Sequence, residues 1–318
     1  MQNPRVTVIV VPRERFSYTR QSLESIYDNT ESPFTLVYVD GGSPTEIKHY
    51  LQMQSIQKGF KLIRTNHYLS PNQARNIGLS QVDTEYIVFI DNDVLVKPGW
   101  LSALIECAEE TGAWAVSPLC LQGDDFKTIH MVGGKIEFSQ KSNTKWMIER
   151  RPFMTLPLEK VESQLVRQPT ELIEFHCMLV RTKTFEHTGL LDEKLMSMAE
   201  ETDFCLSISK TGNSIYFEPT SVISYVPPSS LIWSDLPFFF TRWSNAWCEV
   251  SVNHMRQKWN LGEDAPALKH YRNFVYSHRL AAFGNKKKMY LKLLLFKTIV
   301  QPQQSLSRLI EQGMEKVT

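Results

Sequence analysis

The chain has 318 residues, 42% of them hydrophobic and 22% charged, which excludes a disordered tail or a fibrous repeat. Lysine and arginine number 35 against 34 acids, and a formal net charge of +1 argues against a general nucleic-acid coat. Five cysteines without CxxC spacing, no run near the ~20 apolar residues of a membrane span, and no secretory leader lead us to expect reduced thiols in a soluble, cytoplasmic protein.

Residues 6–11 are a β-branched run that predicts a first strand, ended by Pro12 and the charged triplet Arg13-Glu14-Arg15. Residues 18–29 place leucine, isoleucine and tyrosine at helical spacing. A second β-rich run, 34–39, stops at Asp40-Gly41-Gly42-Ser43-Pro44. A helix over 45–57 and a strand over 60–65 follow. Ser70 then caps a helix that runs to residue 80, with Pro71 in its first turn. Strand 86–90 is stopped by Asp91-Asn92-Asp93, and helix 99–111 and strand 114–117 complete the series. Strands alternating with helical stretches of roughly 10–15 residues predict an α/β fold, a mixed but mostly parallel sheet flanked by helices. The middle, 121–172, is looser and carries Gly123-Asp124-Asp125 and Gly133-Gly134. Beyond it a strand over 171–181, a short helix over 182–187 and a helix over 200–211 are expected. From about residue 230 the alternation ends, and an aromatic stretch with Phe238-Phe239-Phe240, Trp243 and Trp247 predicts a C-terminal helical extension. The division that follows is 1–230, in two halves 1–120 and 121–230, and an extension 231–318.

In open α/β sheets, ligands bind beyond the carboxyl ends of the strands, where the strand order switches. Asp40-Gly41-Gly42 and Asp91-Asn92-Asp93 both fall at that end of predicted strands. Two carboxylates one residue apart after the apolar run 86–90 can hold one hard cation, Mg2+ or Mn2+, leaving positions for phosphate oxygens. Taken alone, Asp-Asn-Asp is as readily a turn. Glu200-Glu201-Thr202-Asp203 opens the helix 200–211. Three acids in a first turn favour the helix dipole, and one of them can also serve as a general base in a cleft.

The order of these motifs resembles that of the family 2 glycosyltransferases of the GT-A fold. Val8-Ile9-Val10-Val11-Pro12 is similar to the opening strand, and Val37-Tyr38-Val39-Asp40-Gly41-Gly42-Ser43 to the second. Asn72-Gln73-Ala74-Arg75-Asn76-Ile77-Gly78 resembles the Ala-Arg-Asn-x-Gly helix, and Ile87-Val88-Phe89-Ile90-Asp91-Asn92-Asp93 the DxD strand. Cys177-Met178-Leu179-Val180-Arg181, Phe185 to Asp192 and Ala199 to Leu206 resemble the later strand, the F-x-x-x-G-x-x-D segment and the E-D-x-D-L-C-L helix start. The resemblance covers about residues 5–228. It implies an inverting, metal-assisted transfer from a nucleotide-diphosphate sugar, with a UDP-sugar as the first expectation, to a glycan or lipid-linked acceptor. It implies nucleotide-sugar contacts at Pro12, Asp40, Arg75, Asp91 and Asn92. Asp93, with Asp91, would bind a divalent metal, Mn2+ or Mg2+, and Glu201 would be the catalytic base. Gly134, His176 and Glu200 are assigned to the sugar or acceptor side, with His130 near them.

Three departures stand out. The family often has Thr-Tyr-Asn after the first proline where this chain has Arg13-Glu14-Arg15. The base is Glu201 instead of aspartate, and Tyr225 stands where a metal-binding histidine is frequent. They motivate an alternative: a non-catalytic module that keeps the fold and binds nucleotide or glycan. A nucleotidyltransferase ranks below both, because no glycine-rich basic phosphate loop follows the first strand. In the tail, the basic and apolar stretch 286–297 suits a helix packed on the catalytic domain better than one lying on an anionic membrane, which would make the protein peripheral at the inner face.

Overall fold

The computed structural model describes residues 4–141, 144–228 and 231–283. The tail stretch 286–297, on which the expectation of a packed or membrane-facing helix rests, lies outside them.

The first half is a βα series: β1 (Val6–Val11), α1 (Thr19–Asp28), β2 (Thr35–Gly41), α2 (Thr45–Lys58), β3 (Lys61–Thr65), α3 (Pro71–Leu79) and β4 (Tyr86–Asp91). It continues through β5 (Val94–Val96), α4 (Trp100–Thr111) and β6 (Ala115–Gln122). β7 (Thr128–Met131), the hairpin β8 (Lys135–Lys141) and β9 (Thr144–Arg150), and β10 (Gln168–Thr170) follow. The chain then forms β11 (Cys177–Arg181), α5 (Thr184–Thr188), α6 (Glu200–Lys210), β12 (Ile215–Tyr225) and three helices, α7 (Leu236–Arg242), α8 (Asn245–Lys258) and α9 (Pro266–Phe283).

The main sheet has the order β10-β12-β6-β11-β4-β1-β2-β3. β1 pairs in parallel with both β2 and β4, whereas β11 runs antiparallel to both β4 and β6. β1 and β4 are buried at every position, as strands covered on both faces must be. The chain winds outward from β1 through β2 to β3, then returns to β4 and builds the other half. The carboxyl ends of β1 and β4 are therefore the point where the strand order switches.

α3 is seated on this sheet by a glycine. A Cβ on Gly78 would lie 2.3 Å from Cγ2 of Ile9, so only glycine lets the helix approach β1 this closely. Asn76 on the same helix donates to the carbonyl of Leu191 (2.9 Å) and accepts from its amide (3.1 Å), while Asn72 donates to the carbonyl of Asp192 (2.9 Å). The asparagines of the α3 motif thus hold the 191–192 segment, and the arginine between them faces the switch point.

The structure departs from the expected elements in three places. The strand expected over 171–181 is confined to Cys177–Arg181, and Glu174 and His176 before it lie in buried irregular chain. The loose middle contains β7 to β10; β9 is only partly buried along most of its length, which weakens the hydrophobic alternation that marks a strand. β12 is an additional central strand, parallel to β6, with a register shift between Glu218 and Val222 around Pro219. The five cysteines are buried free thiols, and no helix among the described residues is long and apolar enough to cross a membrane.

Candidate active site

The loop after β1 is fixed by one side chain. Asn92 accepts from the amide of Arg13 (3.1 Å) and donates to the carbonyl of Arg15 (2.8 Å) and the hydroxyl of Thr19 (3.1 Å). Its own amide donates to the carbonyl of Val11 (2.9 Å). Buried completely, Asn92 buckles the β1 and β4 ends together.

Asp91 meets three cationic or imidazole groups. Arg75 donates to its Oδ1 (3.2 Å), Arg13 Nε stands 3.9 Å from Oδ2, and His176 Nδ1 stands 3.3 Å from Oδ2. The Arg75 guanidinium also packs 4.0 Å from the centre of the Phe175 ring. Asp93 differs. It is fully buried, and neither carboxylate oxygen has a hydrogen-bond partner among the described residues. Burial raises its pKa well above the usual carboxylate value, against the pull of Arg13.

His176 is buried and stacks on the Tyr225 ring, centroids 4.3 Å apart. Burial and the neighbouring Arg13 charge hold the imidazole well below its ordinary pKa. His130 stands edge-on to His176, with its Nε2 3.0 Å from Oε2 of Glu174; burial brings its pKa down to about 3.

Across the cavity, the three acids of α6 divide. Glu200 accepts from Arg242 (2.8 Å), and Asp203 accepts from Lys258 and Trp259 (both 2.8 Å), tying α6 to α8. Glu201 has Arg151 at 3.6 Å and keeps about a fifth of its side chain exposed. Burial and the adjacent Glu200 charge raise its pKa. Arg151 in turn pairs with Glu149 and Glu174.

Between these two sets of groups lies a cavity of about 130 Å³. Arg13, Arg75, Asp91, His176, Glu200 and Glu201 line it, and Trp243, just past α7, closes it with Tyr271 and Phe274 of α9. Pro12, Asp40, Asn92, Asp93 and Gly134 are not among its lining residues. Pro12 is buried at the end of β1. Asp40 accepts from the Ser43 amide and hydroxyl (both 2.8 Å) and from Arg64. Gly134 lies where the chain crosses Thr170, which accepts from its amide (2.8 Å).

A family model for glycosyl transferase family 2 matches residues 7–189, more than half of the chain. The chain belongs to glycosyl transferase family 2. It is similar to an uncharacterized glycosyltransferase of Haemophilus influenzae, 22% identical over 227 residues covering 71% of this chain and 66% of that protein. It is also similar to the pre-mycofactocin glycosyltransferase of Mycobacterium tuberculosis, 21% identical over 224 residues covering 69% and 42%. Among solved structures, GalNAc-T7 with UDP, GalNAc and Mn2+ matches with a TM-score of 0.55 at 17% identity, covering 95% of this chain and 57% of that one. The chain spans less than two thirds of the length of each of these three. The structural likeness establishes the fold, which is GT-A.

Within this family 2 framework, two of the departures form one unit. Tyr225 donates to Glu14 (2.6 Å), Trp243 donates to the same carboxylate (2.7 Å), and His278 of α9 meets it at 2.6 Å. Arg13 stacks over the Tyr225 ring at 4.4 Å. A buried carboxylate needs donors, and the tyrosine hydroxyl is one of them. Its ring also supports His176, and the ligand atoms of Asp91, Asp93 and His176 lie within 4.8 Å of one another. Two carboxyl groups and an imidazole suit a divalent cation, and the unpartnered oxygens of Asp93 are available as ligand atoms.

Arg151, Arg242 and Tyr271 are members of the cavity wall that sequence reasoning missed. Each stands in a segment without a motif, and only their convergence marks them. The signal that could have found His176 as a ligand candidate is the compensating absence at position 225.

Proposed function

We propose that this chain transfers a sugar from a nucleotide-diphosphate sugar to an acceptor hydroxyl with inversion, Glu201 acting as the base. The observation that carries the reading is that the Asp91–His176 cluster at the β1/β4 switch point and Glu201 at the start of α6 line the same cavity. A divalent ion held by Asp91, Asp93 and His176 would supply charge neutralisation for the departing diphosphate. Arg75 and Arg13 hold its phosphate oxygens, as guanidinium forks do. Glu201 accepts the acceptor hydroxyl proton as the oxygen bonds to the anomeric carbon and the bond to the diphosphate breaks. A raised carboxyl pKa makes Glu201 a better base than an exposed glutamate. Trp243, Tyr271 and Phe274 offer apolar faces for a sugar ring. The UDP and Mn2+ of the GalNAc-T7 structure support UDP-sugars as the first donors to try and Mn2+ as the first ion. A glycan or lipid-linked hydroxyl is the acceptor class we infer.

The test is UDP release from UDP-sugars with acceptor present, paired with calorimetry of UDP with and without Mn2+. We expect Glu201→Gln to lower kcat by about 10²–10⁴-fold while leaving metal-dependent UDP binding intact. Transfer at the wild-type rate by Glu201→Gln would remove Glu201 from the chemistry.

A further inference from the structure

Arg13 touches two of the three groups assigned to the metal, Asp91 and His176. Its guanidinium is 3.9 Å from Asp91 Oδ2, and one terminal nitrogen is 3.3 Å from Nδ1 and 3.0 Å from Nε2 of His176. Of the charges acting on Asp93, that of Arg13 is the strongest. A guanidinium has donors only, so a His176 nitrogen that meets it uses the same lone pair a metal would need. Two cations within a few ångströms inside a buried cluster also repel strongly.

We propose that Arg13 is a built-in cation that competes with the divalent ion for Asp91 and His176, and that the nucleotide diphosphate relieves this competition by taking the guanidinium for itself. The proposal rests on the reading above that these two residues and Asp93 hold a divalent ion. The backbone around Arg13 is fixed, because its amide donates to the buried Asn92. The exchange is therefore confined to a side chain, which lines the cavity and lies between two aromatic faces, Tyr225 at 4.4 Å and Trp243 at 5.7 Å. Those faces let the guanidinium shift along the wall without losing cation–π support. A diphosphate presents the paired anionic oxygens that a guanidinium fork matches best. Each ligand thus makes room for the other, and the coupling is reciprocal. In the ligand-free protein, Arg13 neutralises a cluster that otherwise holds Asp91, Asp93 and Glu14 close together.

The experiment is Mn2+ binding followed by the paramagnetic signal of the free ion, with and without UDP, in wild type, Arg13→Met, Arg13→Gln and Arg13→Lys. Circular dichroism establishes that each variant is folded. The wild type should bind Mn2+ weakly alone and more tightly with UDP. Arg13→Met and Arg13→Gln should bind Mn2+ alone about tenfold more tightly than wild type, within the ordinary range of site coupling, and gain less from UDP. Arg13→Lys, which keeps the charge, should stay closer to wild type. Met and Gln variants that bind Mn2+ alone no better than wild type would overturn the competition while leaving the metal site standing. Mn2+ binding to none of the four, with or without UDP, would overturn the metal reading and this proposal together.

Discussion

At the carboxyl end of β2, Asp40 is saturated: the Ser43 amide and hydroxyl and the Arg64 guanidinium all donate to it. Just beyond the carboxyl end of β4, Asp93 is as deeply buried, yet both of its oxygens lack hydrogen-bond partners among the described residues. The two aspartates have the same chemistry and comparable places at neighbouring ends of one sheet. What separates them is local supply of donors. Ser43 follows Asp40 by three residues and turns back onto it, and Arg64 reaches across from β3. Asp93 is followed directly by β5, which pairs with β12 and whose Val96 amide is taken by the Ser25 hydroxyl (2.9 Å). A buried acid that satisfies itself holds a loop in shape. One that does not is stable only with a proton or a cation nearby, and that makes it a candidate ligand.

The largest effect expected from this contrast is on Asp93→Asn. Mn2+ affinity should fall by more than the 10–100-fold seen when a mere supporting partner of a metal ligand is mutated. The melting midpoint in chelator should not drop, because the removed charge has no bonds to lose. A variant that binds Mn2+ like wild type would dissolve the contrast. Asp40→Ala should do the opposite. We expect a loss of about 2 kcal/mol of stability in denaturant titration, as the 40–44 turn and Arg64 lose their shared acceptor, with metal affinity nearly unchanged. A midpoint equal to wild type would mean that the Asp40 bonds hold nothing.

The smallest effect concerns a third carboxylate of the satisfied kind. Asp192 bonds His254 and Lys258 at 2.8 Å each. Burial pushes its pKa up, but the Lys258 and His254 bonds outweigh it and bring the value down to about 2. A carboxylate depressed in the folded state stabilises it fully above its unfolded pKa of about 3.9 and loses that contribution as pH falls through the folded value. The melting midpoint of wild type should therefore fall more steeply between about pH 4 and pH 2 than that of Asp192→Asn. Parallel curves would show that the Asp192 bonds do not favour the fold.

Much of this architecture can be read directly from the chain. The apolar runs 6–11 and 86–90 are buried on both faces and announce central parallel strands, because such strands have no polar face to dilute the pattern. Ser70 and Pro71 mark the start of α3, where the Gln73 side chain accepts from the Ser70 amide (3.0 Å). Asp91-Asn92-Asp93 and Glu200-Glu201 are visible as acids at element ends. Other features have no local signature. The hairpin β8–β9 hides in a mixed pattern because most of β9 is only partly buried, and β12 is interrupted by Pro219.

What the sequence by itself determined was the order of strands and helices and the placement of acids at the carboxyl ends, since both follow from periodicity and from turn and cap chemistry within a few residues. Tertiary structure alone decided which acids are satisfied. It turned Asn92 into a buckle, gave Glu200 to Arg242 and left Glu201 beside Arg151. It also set His176 beside Asp91, on a ring whose hydroxyl serves Glu14. Those outcomes depend on side chains 40 to more than 200 residues apart, such as Glu14 and Tyr225, 211 residues apart. Hydrogen-bond saturation and charge compensation are properties of the packed environment, and no window of neighbouring residues contains them.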